Sequence, residues 1–190
     1  MFSTSGTSRA SREAILCGVM RNLAAATLVA LSFQAPVAAA PPAAPAVRVT
    51  VLQDGSTFDS RSLIGKKVLV LRFQASWCKA CAAQAAGLER VYERYKARDV
   101  EVVAIHVDDP EPNARAFLKA HRAGYPAALD PGLLVANRFG FKRAPYTVIV
   151  NKRGEIATRL DATADEARLR AAIDAALKPP PRRGAPARPS

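Results

Sequence analysis

Two cysteines separated by two residues, Cys78 and Cys81, are the side chains of this sequence best suited to chemistry. They lie in the run Ser76-Trp77-Cys78-Lys79-Ala80-Cys81. An apolar segment that reads as a buried strand, Val68-Leu69-Val70-Leu71-Arg72-Phe73, precedes it, and an alanine-rich segment of helical spacing follows. A C-x-x-C pair where a strand turns into a helix points to dithiol/disulfide exchange. The first thiol sits at the helix N-terminus, where unpaired amides and the helix dipole favour thiolate over thiol. The second lies one turn on, within reach of a mixed disulfide formed at the first.

The elements that must position this pair follow from the patterning. Val47-Arg48-Val49-Thr50-Val51-Leu52 alternates as a half-exposed strand does, and Asp54-Gly55 marks a turn. From Ala82 to about Arg98, Leu88, Val91, Tyr92 and Tyr95 fall on one helical face. Val100 to Val107 is apolar on both faces except at Glu101 and His106, as expected of a buried parallel strand. Asp109-Pro110-Glu111-Pro112 opens a helix through roughly Arg122, with Phe117 and Leu118 inward, and Leu133 to Arg138 reads as a short helix stopped near Gly140. Thr147 to Val150 and Glu155 to Thr158, joined by Asn151-Lys152-Arg153-Gly154, read as a hairpin. A closing amphipathic helix spans Asp165 to Leu177. Early alternation and a late hairpin give an α/β fold, a mixed sheet with helices on both faces.

That fold needs only residues 47–177, about 130 of the 190 and enough for one core. Residues 1–40 carry Arg21, a short apolar run over Leu23–Leu31 and the small residues Val37-Ala38-Ala39-Ala40, the three parts of a secretory signal. Cleavage after Ala39 satisfies the small-residue rule, and the competing reading is an uncleaved N-terminal membrane anchor. A start at Met20 would make the signal compact and remove Cys17, which precedes the apolar run and so makes a poor lipidation site. Residues 41–46 read as an extended, unpacked Ala/Pro linker, and 178–190 as a flexible basic Pro-rich tail.

The net charge of +12 raises a nucleic-acid reading, which its distribution argues against. Arg9, Arg12 and Arg21 lie in the leader, and Lys178, Arg182, Arg183 and Arg188 in the tail. The rest are interspersed with acids, with no basic stripe interleaved with aromatics. Asp108, Asp109 and Glu111 have the types of a divalent-cation site, but their proline spacing is that of a loop and helix start.

Taken together, the run Val68 to Cys81, Gly65-Lys66, Val107-Asp108, Leu129-Asp130-Pro131-Gly132, Phe139-Gly140 before Pro145, and Thr147-Val148-Ile149-Val150 with Arg153-Gly154-Glu155-Ile156 resemble the thioredoxin superfamily, in particular its TlpA-like periplasmic branch. The resemblance covers nearly all of residues 47–177. It implies a thioredoxin-like fold and a periplasmic thiol-disulfide oxidoreductase whose only redox group is the Cys78–Cys81 disulfide, with no further cofactor and no metal. Cys78 would attack, Cys81 resolve, and Trp77 shield the pair. Pro145 would be the cis-proline beside the disulfide, turning the Ala144 backbone toward an extended substrate peptide. Partners would be protein thiols and disulfides plus an upstream membrane electron donor, on the reducing side of exchange, as in cytochrome c maturation. The alternative class is a copper chaperone or a thioredoxin-fold interaction module. His106 or His121 would have to complete a copper site, and both read better as structural or surface residues. A peroxidase of P-x-x-x-T-x-x-C type finds no such pattern before Cys78.

Three departures from the resemblance matter. Gln84 stands where an acid is common and Ala86 where a proline is common. Arg72 stands where thioredoxin itself has a buried aspartate. Gln84 bonds but is no base, so the Cys81 proton would pass to water or to Glu155. Resolution is then expected to be slow, and Gln84→Glu to speed it. Lys79 is expected to favour the Cys78 thiolate modestly, and Ala80, in place of a proline, to alter the potential.

Overall fold

The computed structural model describes residues 41–178, so the signal, the anchor alternative, Cys17 and the tail from Pro179 onward lie outside the described residues. Seven strands and three helices follow one another: β1 (Arg48–Thr50), β2 (Thr57–Asp59), β3 (Val68–Gln74), α1 (Lys79–Tyr95), β4 (Val100–Val107), α2 (Glu111–Ala120), β5 (Ala127–Asp130), β6 (Tyr146–Val150), β7 (Ile156–Leu160) and α3 (Glu166–Leu177). β1 and β2 form a separate antiparallel hairpin. The other five make one mixed sheet in the order β5-β4-β3-β6-β7, with β3, β4 and β5 parallel and β6 and β7 antiparallel to their neighbours. This is the mixed α/β sheet expected from the element order.

β3 is the central strand, and all seven of its residues are buried. Its period of two divides the core. Leu69, Leu71 and Phe73 point, with Val103, Ile105 and Val148, toward Val47, Val51 and Phe58 of the hairpin region, Phe117 of α2 and Phe139. Val68 and Val70 point the other way, with Val102, Ala104 and Ile149, toward Leu88 and Val91 of α1 and Leu169 and Ile173 of α3. Both faces are therefore covered, which explains the absence of hydrophobic alternation in β3 and β4.

α1 buries Cys81, Ala85, Leu88, Val91 and Tyr95, a single stripe at three- and four-residue spacing. Its far end is tied to α3 by the Tyr95 hydroxyl, which donates to Asp174 Oδ1 over 2.9 Å. Asp165 caps α3 by accepting the Arg168 N–H, so the closing helix starts one residue later than the pattern alone predicts. The β6–β7 turn forms as expected. Asn151 Oδ1 accepts from the backbone of Arg153 and Glu155, and Gly154 takes φ of 77° with the Ile64 side chain 3.1 Å from where a Cβ would lie.

Three local expectations are corrected. β2 and β5 are strands that the pattern does not reveal; they have three and four residues, too short for periodicity to register. The segment expected to be a short helix is a pair of single 3-10 turns, Pro131–Leu133 and Ala136–Phe139, ended by Gly140 in the left-handed conformation. The Ala/Pro segment is not unpacked. Ala44 N–H donates to the Gly154 carbonyl and Ile156 N–H to that of Pro42, so the segment runs along the start of β7.

Candidate functional site

Cys78 and Cys81 are joined as a disulfide with a Cα–Cα separation of 5.1 Å, within the usual range. The mixed sheet places them. β3 ends at Gln74, and the four residues that follow carry the chain to Cys78, the N-cap of α1. Cys78 Sγ accepts the Cys81 N–H over 3.1 Å, so the first sulfur has the stabilising donor and dipole that the sequence argument assigned to it. Cys78 is 6% exposed and Cys81 wholly buried. Trp77, beside them, is 61% exposed, an apolar surface next to the reactive sulfur rather than a cover sealed over it. Lys79 and Ala80 are exposed in the first turn of α1.

The Ala144–Pro145 peptide bond is cis. Tyr146 pairs with Phe73, so the start of β6 lies beside the end of β3 from which the chain runs on to Cys78, and Ala144 packs against the apolar cluster that holds both cysteines.

The loop before Cys78 is held by a buried polar chain that sequence reasoning did not assemble. The Ser76 N–H and hydroxyl both donate to the Asp109 carboxylate, over 2.7 and 2.5 Å. His106 Nδ1 lies 2.7 Å from Asp109 Oδ2, and its Nε2 lies 3.0 Å from Gln74 Nε2. Gln74 and His106 are direct neighbours in the β3–β4 register, and both are wholly buried. Burial lowers the His106 pKa, while the Asp109 carboxylate opposes this. His106 is therefore structural, as expected, whereas Asp109 turns inward and is no part of an acidic cation cluster. Among the described residues no group of three or more His, Cys, Asp or Glu is arranged to hold a metal. His121 instead packs against Phe117, ring centroids 4.4 Å apart.

Two residues before Gln74, on the same face of β3, Arg72 is 5% exposed. Its Nη1 donates to Thr147 Oγ1 over 3.1 Å, and its Nη2 to Gln84 Oε1 over 2.8 Å; Gln84 Nε2 donates to the Ala162 carbonyl. Burial pulls the Arg72 pKa down to about 10, which leaves it charged at neutral pH. Burial also raises the Tyr125 phenol, with Gln74 and then Arg72 opposing. Arg72 Nε, Gln74 Oε1 and the Tyr125 hydroxyl, one from each of these three neighbours, are buried and unpaired.

These contacts revise two proton-handling expectations. Glu155 does not reach the cysteines. It follows β6, whose far end, Val150, pairs with Leu69 at the opposite end of β3, and it is engaged by Arg153 and Asn151. Gln84, one turn beyond Cys81, is committed to Arg72. A carboxylate placed there by Gln84→Glu would meet a guanidinium, which holds it ionised and makes it a weaker base. We therefore expect Gln84→Glu to raise the melting temperature by about 3 °C, a net gain near 1 kcal/mol. Stopped-flow resolution should change by less than about twofold. A several-fold acceleration would restore the relay role.

Residues 40–159 match the model of the AhpC/TSA family. The thiol-disulfide oxidoreductase ResA of Halalkalibacterium halodurans is 32% identical over 108 residues, covering 56% of this chain and 61% of that protein. The chain thus spans about three-fifths of that relative's length. A thioredoxin-family thiol:disulfide interchange protein from Chlorobium tepidum superposes with a TM-score of 0.67 at 22% identity, over 75% of this chain and all of that one. A second structure from Chlorobium tepidum, described as a thiol:disulfide interchange protein DsbE, gives 0.66 at 26%, over 73% and 97%. The fold is thioredoxin-like.

Proposed function

The chain belongs to the AhpC/TSA family of thioredoxin-fold proteins, and from this membership we propose that it is a thiol-disulfide oxidoreductase acting on protein substrates through Cys78 and Cys81. The observation that carries the reading is the disulfide at the N-terminus of α1, with Cys78 Sγ accepting the Cys81 N–H. Relatives named thiol-disulfide oxidoreductase ResA support it. The TlpA-like features add the finer proposal of a protein outside the cytoplasm, on the reducing side of exchange, supplied by a membrane donor and serving apoproteins such as those of cytochrome c maturation.

In the reduced protein the Cys78 thiolate attacks one sulfur of a substrate disulfide. A mixed disulfide forms, and the other substrate sulfur leaves as a thiolate. Cys81 then loses its proton to water and attacks Cys78 Sγ, releasing the second substrate thiolate. The substrate gains two electrons and the protein is left as the Cys78–Cys81 disulfide, which a donor dithiol reduces. Trp77, exposed beside Cys78, would supply apolar contact for the partner, and the resemblance assigns the Ala144 backbone next to Pro145 to pairing with an extended substrate strand. Dithiothreitol-driven reduction of insulin disulfides tests the activity. The reading fails if the purified protein turns over no faster than dithiothreitol alone.

A further inference from the structure

Thiol exchange needs Cys81 to shed a proton, yet Glu155 lies at the far end of the sheet and Gln84 is no base. What the site holds instead is a cation. Arg72 is 5% exposed, stays charged at neutral pH, and enters none of the ion pairs among the described residues. Both of its hydrogen-bond partners, Thr147 and Gln84, are neutral. A buried charge without a counter-charge is costly, and any nearby group that can become negative relieves it.

The packing brings that charge to Cys81. Gln84 follows Cys81 by three residues on α1, and side chains at this spacing have Cβ atoms about 5–6 Å apart on one helical face. Arg72 Nη2 donates to Gln84 Oε1 over 2.8 Å, which puts the guanidinium on the order of 10 Å from the Cys81 sulfur. Cys81 is wholly buried and Arg72 nearly so, so salt screens the field between them little. The other charges at this end are answered or exposed. Asp109 is engaged by Ser76 and His106 before Cys78, and Asp165 and Glu166 at the start of α3 by the Arg168 N–H and by Arg90 and Arg170. Lys79, Lys142 and Arg143 are exposed, and burial holds the Tyr125 phenol in its neutral form.

We propose that Arg72 activates Cys81 electrostatically, its fixed positive charge favouring the thiolate so that water suffices to take the proton in the release step. The Cys81 S–H proton passes to water, the thiolate forms the Cys78–Cys81 bond, and the substrate sulfur leaves Cys78 as a thiolate. The proposal rests on the exchange reading, but its first test needs no turnover.

That test follows the carbon-13 resonance of the Cys81 Cβ with pH in the full, reduced chain carrying Cys78→Ser, where this thiol titrates without its neighbour. Arg72→Met should move the midpoint up by about one pH unit, a tenfold loss of thiolate at a given pH, as a unit charge at this range predicts. Arg72→Lys, which keeps the charge, should restore most of it. Gln84→Glu sets a carboxylate against the guanidinium, so there too the midpoint should rise, even if Arg72→Met does not fold. With both cysteines present, Arg72→Met should slow release about threefold in stopped flow, less than the loss of thiolate because the more basic thiolate is the better nucleophile. In Gln84→Glu the weak base gained offsets this slowing, in keeping with a change below twofold. A raised midpoint in a protein that does not reduce insulin would uphold the charge effect and refute the exchange reading alone. A midpoint unmoved in Gln84→Glu, or in a folded Arg72→Met, overturns the proposal.

Discussion

Cys78→Ser is expected to lower insulin reduction by a factor on the order of 10³ or more, down to the dithiothreitol background, because a serine hydroxyl is not ionised at neutral pH and does not exchange with disulfides. Cys81→Ser should fail differently. It retains the sulfur that sits on the α1 N-terminus and accepts the residue-81 N–H, so the first attack proceeds and only the release step is lost. The expected products are therefore unequal. With 5,5′-dithiobis(2-nitrobenzoic acid), Cys81→Ser should accumulate one mixed adduct per chain at Cys78, stable in the absence of added thiol. Cys78→Ser should react far more slowly, since Cys81 is wholly buried. The rates of adduct formation in the two variants settle the order of attack, and faster reaction at Cys81 in Cys78→Ser than at Cys78 in Cys81→Ser would reverse the two roles. Both cysteines belong to the core cluster, but serine is nearly the same size, so loss of activity without loss of folding is the anticipated pattern, checked by an unchanged far-ultraviolet circular dichroism spectrum.

What the amino-acid sequence made legible is what local pattern controls. The strands Val68–Gln74 and Val100–Val107 are short unbroken apolar runs, α1 carries a helical stripe and the hairpin joined at Gly154 carries its own turn chemistry. The disulfide pair was legible for the same reason, since its spacing and its place at a strand-to-helix junction lie within a few residues. The polar framework around it was not, because it is a product of register. Gln74 and His106 are 32 residues apart and meet only because β3 and β4 pair in parallel at that offset; Ser76 and Asp109 are 33 apart. His106 did stand out as a polar residue in an apolar strand, but nothing local to it names Gln74 as a partner. Arg72 is an unusual residue for a buried strand, as its sequence position alone shows. That it leans on Gln84 and Thr147 depends on the α1 packing and on the Arg72–Thr147 register with β6. Glu155 shows the converse, a carboxylate chosen by elimination that the antiparallel run of β6 carries to the wrong end of the sheet.

Asp109→Ala is expected to be the most damaging substitution outside the cysteines. The carboxylate accepts the Ser76 N–H and hydroxyl and faces His106 Nδ1, and its side chain is fully enclosed. Its removal strands one buried group, His106 Nδ1, and two part-buried ones on Ser76, so a loss of about 2–4 kcal/mol, or more than about 6 °C in melting temperature, should follow. Because Ser76 lies two residues before Cys78, the loss should also loosen the segment that delivers the attacking sulfur. Activity measured well below the melting temperature should fall several-fold, while Asp109→Asn, which keeps an acceptor, should recover part of both. The same network predicts a pH dependence. Burial, the dominant influence, holds the folded-state pKa of His106 below its ordinary 6.5, so above pH 6.5 the residue is neutral folded or unfolded and contributes no slope. As pH falls below 6.5 the unfolded chain takes up a proton that the folded one does not, and stability declines until the folded pKa is passed. Denaturant melts between pH 7.5 and 5.5 should show this decline in the wild-type protein and a flatter profile in His106→Gln. A wild-type curve that rises toward pH 5.5 would mean that the Asp109 contact, not burial, governs His106.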